Sequence, residues 1–209
     1  MFDSHLGEPY DYAIACLELD RAQEIEPLVD KVLGLAPGER LQATAYATLI
    51  EALRIEGRYR EGNRIGRLLL DQGGSEFAQA LAYYEMAFNL AETEENLDEA
   101  LTFARRSLEL SPAELREFSL GVLGWVHFKR REFDQAVDRL AQSSEIGTSA
   151  RTLTHLGMAL LASGAHDRAR SVLTQARSLQ ESRGELEEKV LECLKEGTQL
   201  LDVPFRQKR

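Results

Sequence analysis

Two stretches of this chain, Leu123 to Leu140 and Leu156 to Leu173, can be laid over each other. Each begins Leu-Gly, carries an Ala twelve residues after the Gly (Ala136 and Ala169) and a Leu four beyond that Ala (Leu140 and Leu173). The offset between them is 33 residues, from Gly124 to Gly157. A fixed period in that range means a unit too small to bury its own apolar face, so neighbouring units must stack as helical hairpins.

Punctuation along the chain supports the same reading. Pro37-Gly38, Gly57, Gly73-Gly74, Gly147, Gly164 and Gly184 divide it into about eleven helices, and little reads as strand. At Ser111-Pro112-Ala113-Glu114 the Ser is placed to cap, Pro fits the first helical position, and Glu114 can reach back to the cap amide. The hairpins fall at about 8–35, 39–73, 75–110, 112–146 and 149–182, with a single helix at 184–202 and a tail at 203–209. In the fourth, Leu120, Leu123, His127, Phe133, Ala136 and Leu140 face each other inside the hairpin. Leu153, Leu156, Leu160, Ala169, Leu173 and Ala176 do so in the fifth. The small residues Gly124, Gly157, Ala136 and Ala169 let two helix backbones approach.

These positions resemble the tetratricopeptide repeat family, whose pattern combines Leu-Gly, a Gly near the turn and a following Ala, aromatic or Leu, and Ala. The fifth hairpin supplies Leu156, Gly157, Leu160, Gly164, Ala169, Leu173 and Ala176, and the fourth Leu123, Gly124, Phe133, Ala136 and Leu140. The third keeps Tyr84, Ala100, Ala104 and Pro112, and the second keeps Tyr46, Leu49, Leu53, Gly57 and Tyr59, with Gly62 and Gly66 in place of Ala and the aromatic. The first, Tyr12 to Pro37, matches in length and final Pro only. The resemblance implies an all-α, right-handed superhelical array of about five antiparallel hairpins forming one domain. Residues 184–202, with Leu186, Val190, Cys193, Leu194, Gly197 and Leu201 on one face, would form its C-terminal cap.

In the resembled family, partners lie in a concave groove lined by the first helix of each hairpin. Carried over residue by residue, the groove comprises Thr44, Ala47, Glu51, Arg54 and Ile55 in the second unit and Ala82, Glu85, Asn89, Glu92 and Thr93 in the third. The fourth contributes Phe118, Gly121, Trp125, Phe128 and Lys129, and the fifth Arg151, Thr154, Met158, Leu161 and Ala162. The helix around Trp125 is apolar on its whole circumference, and hairpin packing accounts for one side only. Trp125, Phe128, Met158 and Leu161 are therefore expected to face the groove as an apolar binding patch. Alternatively, the first hairpins or the terminal tail cover it. Glu85 and Glu92 would select basic flanks on a peptide or amphipathic helix. They would also repel a terminal carboxylate, which excludes the clamp that some members of the family use.

Other functions find less support in the residues. Formal net charge is -10, and residues 1–110 hold 21 acidic and 10 basic groups, which disfavours a nucleic-acid partner. The arginines Arg54, Arg58, Arg60, Arg64 and Arg67 are interleaved with Glu51, Glu56 and Glu61 and read as a solvated salt-bridge surface. Lys129, Arg130 and Arg131 stand at a helix end, where they suit the dipole. His5, His127, His155 and His166 have no metal-ligand spacing, and no nucleophile elbow, HExxH or phosphate-binding loop occurs. No enzyme, metal or cofactor is expected. Cys16 and Cys193 lie far apart, the first residues do not form a secretory signal, and no span is apolar enough for membrane insertion, so a cytoplasmic setting is expected. The sequence thus points to a protein-interaction scaffold, with a dedicated chaperone for apolar client segments or a homodimerising assembly protein as alternatives.

Overall fold

The computed structural model describes residues 38–181. They form helices α1 (Glu39–Ile55), α2 (Tyr59–Asp71), α3 (Glu76–Thr93), α4 (Leu97–Leu110), α5 (Arg116–Lys129), α6 (Phe133–Ile146), α7 (Ala150–Ala162) and α8 (166–181). A short 3-10 turn, Ala113–Leu115, precedes α5. Consecutive helices pair as antiparallel hairpins, α1 with α2, α3 with α4, α5 with α6 and α7 with α8. The expected hairpin at 8–35, the helix at 184–202 and the tail lie outside the described residues.

The hairpins stack asymmetrically. α1 packs on α3, α3 on α5 and α5 on α7, whereas α2, α4 and α6 share no such interface with one another. The layer whose members lie closer together becomes the inner, concave side of a superhelical array. The core is correspondingly segmented. One cluster joins Ala43, Ala47, Leu69, Ala78 and Leu81, the next Ala87, Ala100, Ala104, Leu123 and Val126, and the last Ala136, Leu140, Leu156, Leu160 and Ala169.

Each second helix turns the same three positions, spaced one turn apart, toward the helices it packs on. These are Gly62, Gly66 and Leu69 in α2, Ala100, Ala104 and Ser107 in α4, Ala136, Leu140 and Ser143 in α6, and Ala169, Leu173 and Ala176 in α8. The third position becomes Ser where a hydroxyl can be satisfied by the neighbouring helix: Ser107 donates to the Ala80 carbonyl and Ser143 to that of Glu117, both at 2.9 Å. On the facing helices, a Cβ added at Gly124 would stand 2.6 Å from Leu140 Cγ and 3.0 Å from its backbone nitrogen, and one at Gly157 would meet Leu173 at 2.4 Å.

All four hairpin turns contain a left-handed residue at the same place: Gly57 (φ 74°), Glu94 (φ 54°), Arg131 (φ 63°) and Gly164 (φ 85°). Three share the paired backbone bonds of a Schellman ending, as where Glu132 N–H donates to the His127 carbonyl and Arg131 N–H to that of Phe128. The residues at Glu94 and Arg131 hold this conformation with a Cβ in place.

One local expectation is corrected and another is extended. Ser111 does not cap the helix that follows. Its hydroxyl turns back to the Ser107 carbonyl and to Ser119, and the 3-10 turn opens on Pro112 with no side-chain cap. Lys129 and Arg130 do more than complement a helix dipole, since they bind Glu94 and Asp98 and so tie the end of α5 to the preceding hairpin's turn.

Two substitutions follow from this geometry. Gly124→Ala forces α5 and α6 apart against backbone atoms and is expected to cost about 1–3 kcal/mol in urea denaturation. Arg131→Gly removes the Cβ clash of a left-handed residue and is expected to gain up to about 1 kcal/mol, read as a raised Tm.

Candidate functional site

The concave layer carries a polar cluster and an aromatic one, joined through α7. At the polar end, Arg54 of α1 is only 8% exposed and donates from Nη1 to Glu85 Oε2 at 2.7 Å and to Asn89 Oδ1 at 3.2 Å. Asn89 Nδ2 in turn donates to Asn63 Oδ1 on α2 at 3.1 Å. The other guanidinium nitrogen, Nη2, lies 3.6 Å from Glu51 and has no hydrogen-bond partner among the described residues. Glu51 also accepts from Arg151 of α7 at 2.7 Å. The Arg54 guanidinium lies over the Phe88 ring at 4.6 Å, and that of Arg151 over the same ring at 5.7 Å.

At the aromatic end, the Trp125 ring stacks between Phe128 (5.0 Å between centroids, 8° between planes) and His155 (3.8 Å, 12°). Its Nε1 donates to Glu92 Oε1 at 2.6 Å, and Lys129 Nζ lies 5.1 Å from the ring centroid. His155 also approaches Phe88 at 6.1 Å.

This arrangement differs from the expected open groove. Glu85 and Asn89 are buried, at 4% and 0% exposure, and engaged by Arg54, so neither offers a free group to a ligand. Arg54 belongs to this interior cluster rather than to a solvated arginine surface, while Arg58, Arg60 and Arg67 do pair on the outside with Glu56, Glu61, Glu95 and Glu99. Trp125 is 5% exposed, and among the described residues its ring is covered by Phe128 and by His155 on the neighbouring helix; the hairpin at 8–35 and the tail, the other covers expected from the sequence, lie outside those residues. Glu92 is taken up by the indole, Lys129 by Glu94, and Glu51 by two arginines. Phe128 is half-buried between Trp125 and Phe133. Phe118 (49%), Met158 (38%) and Leu161 (45%) remain exposed, with Phe118 edge-on to Tyr84.

Phe88 and His155 are central here and were not singled out from sequence for this role. His155 lies one helical turn beyond Arg151, so the spacing that places Arg151 in the concave row also brings His155 near it.

Burial dominates the electrostatics. It pushes the Glu85 carboxyl up to about 7, against the attraction of Arg54, and the Tyr84 hydroxyl up to about 12 with help from the Glu85 charge. It also pulls His155 down to about 4, an effect reinforced by the positive Arg151 and Lys129. No group of three or more His, Cys, Asp or Glu side chains suited to a metal occurs among the described residues. Two depressions lie away from the centre. One, of about 290 Å³, sits among Arg58, Tyr59, Asn63 and Thr93; another, of about 550 Å³, lies over Leu161, His166, Arg170 and Leu173.

No protein-family model matches the sequence, and no curated protein matches it. Solved structures do share the fold. A protein described as a kinesin light chain of Podosopora anserina, with nearly identical TPR-like repeats, is similar over 87% of this chain and 97% of its own, with 18% identity and a TM-score of 0.56. PlcR of Bacillus thuringiensis, solved with the peptide PapR7 and DNA, is similar over 88% and 75% of the two chains, with 14% identity and a TM-score of 0.63. MamA of RS-1 is similar over 88% and 98%, with 14% identity and a TM-score of 0.52. The class these define is the tetratricopeptide-like helical repeat, and the chain has that fold. Among the described residues no helix is long and apolar enough to cross a membrane.

His155 gives the site a pH signature. With its folded value near 4 and its ordinary value at 6.5, the unfolded chain takes up the proton first. The stability linked to neutral His155 is therefore complete above about 6.5 and declines as pH falls toward 4. His155→Phe keeps an aromatic ring on Trp125 but removes the proton. Its Tm, followed from pH 7 to pH 4 by circular dichroism, should fall less steeply than that of the wild type.

Proposed function

We propose that the protein is a non-enzymatic interaction scaffold that presents its concave face to a protein partner. The observation that carries this reading is the exposure of Phe118, Met158 and Leu161 on helices of the inner layer, beside a platform in which Glu85 and Glu92 are already bonded within the protein. Apolar side chains left on a rigid surface of this kind contribute most when a partner removes them from water. Phe118, Phe128, Met158 and Leu161 supply the contact. Trp125, Lys129, Glu51, Arg54, Glu85, Asn89 and Glu92 hold that surface in shape. The occupant is a peptide or amphipathic helix whose apolar residues follow the inner layer.

Several features support this reading over a catalytic one. Glu85 and His155 have values displaced from the ordinary, as catalytic groups often do. Here both displacements are accounted for by burial, and each group is packed against another side chain rather than aimed into a cavity. No cofactor or nucleic acid enters the proposal, and a cytoplasmic setting, inferred from the two widely separated cysteines, belongs to it. The peptide seen with PlcR supports the general idea that this fold holds a peptide.

The test is the double variant Met158→Asp/Leu161→Asp. It should retain the wild-type helical content and Tm within a few degrees, yet lose at least about tenfold in partner recovery from the native cell, equivalent to about 1.4 kcal/mol. Undiminished recovery would sink the assignment. If light scattering showed instead that the substitutions merely split a dimer, the surface would be one of self-association.

A further inference from the structure

The contacts that close the concave face differ in kind from those that build the array. α7 packs mainly on α6 and α8, approaches α5 over a short stretch, and has no packed interface with α1 or α3. Its side chains nonetheless reach both. Arg151 binds Glu51 of α1 at 2.7 Å across one hundred residues of sequence and lies over Phe88 of α3, while His155 faces Phe88 and stacks on Trp125. Arg151 is half exposed, so water and salt compete directly for its bridge to Glu51. The buried Arg54–Glu85 pair beside it, at 2.7 Å, is shielded from such competition and does not involve α7. The tie from Glu51 of α1 to Arg151 of α7 is therefore one that solvent can reach.

We propose that the Arg151–Glu51 pair is a latch on the superhelix. Closed, it holds α7 inward over an aromatic surface made by Phe88 and Trp125. Released, it lets α7 swing outward and uncovers that surface. The ligand chemistry follows from the groups concerned. An acidic, apolar segment places its carboxylate on Arg151 in place of Glu51 and its apolar side chain on the uncovered rings. This reverses the basic preference expected from the sequence, because Glu85 and Glu92 are already bonded within the protein. A ligand that binds the released form better shifts the population toward it by that difference in affinity. The consequence for partners rests on the scaffold reading, whereas the latch itself is testable on the protein alone.

Trp125 is the single tryptophan of the chain and reports the state of the latch. Glu51→Gln, Arg151→Gln and the double variant should each show acrylamide quenching of Trp125 raised about twofold, with a larger radius of gyration in small-angle scattering. The double variant should exceed neither single, because both remove the same contact. Raising wild-type protein to 1 M salt, where the screening length falls to about 3 Å, should produce the same change, and the double variant should not respond. Unchanged quenching and radius in the variants and in salt would overturn the proposal. Should a variant lose its far-UV helical signal, the salt series on the wild type decides alone. A responsive Trp125 combined with undiminished partner recovery by Met158→Asp/Leu161→Asp would leave the latch standing and remove only the scaffold surface.

Discussion

The array depends on how closely two helix backbones can approach within each hairpin. Gly124 against Leu140 and Gly157 against Leu173 leave no room for a further carbon atom within their hairpins, and Gly66 leaves none against Met86 of the next hairpin. Close approach brings the large residues of one hairpin onto the next, which is why the core divides into clusters shared by neighbours. Curvature follows from an asymmetry between the layers, because the first helices of successive hairpins pack on one another, whereas each second helix packs on the first helix of the next hairpin and not on its second.

Curvature then determines what the concave face contains. It brings an arginine, two glutamates and an asparagine into a space with little water, and each must find a partner there. Arg54 meets Glu85 and Asn89, and Asn89 is completed by Asn63. Removing one member of such a buried pair typically costs about 3–5 kcal/mol, because the other charge is left without water or a partner. The indole nitrogen of Trp125 is treated the same way by Glu92. The inner surface is consequently a platform of mutually bonded groups in which Arg54 Nη2 alone of the buried side-chain nitrogens and oxygens described has no hydrogen bond, bordered by the exposed Phe118, Met158 and Leu161.

The fold was legible because the seam residues recur. Leu123-Gly124 with Ala136 and Leu140, and Leu156-Gly157 with Ala169 and Leu173, encode backbone approach directly, and this is a local property. The turns were half legible: Gly57 and Gly164 mark two of them, while Glu94 and Arg131 adopt the same left-handed geometry with nothing in their identity to announce it. The candidate site was legible only as a set of positions. Whether Trp125 stands open depends on how far α7 leans across α5, and that angle is set by the packing of one whole hairpin on the next and not by the residues around Trp125. His155 therefore did not declare itself as the lid on Trp125, nor Arg54 as the partner of Glu85. Phe118, Met158 and Leu161 are exposed, as expected from their positions in the repeat.

The bridge from Glu51 to Arg151 also bears on the order in which the molecule assembles. Most of the packing is between elements adjacent in sequence, and such contacts close small loops and form early. A pair one hundred residues apart closes a far larger loop, and its two ends meet only after the hairpins between them have stacked at the proper angles. Its formation is therefore expected to follow the stacking of the hairpins between α1 and α7 rather than to guide it.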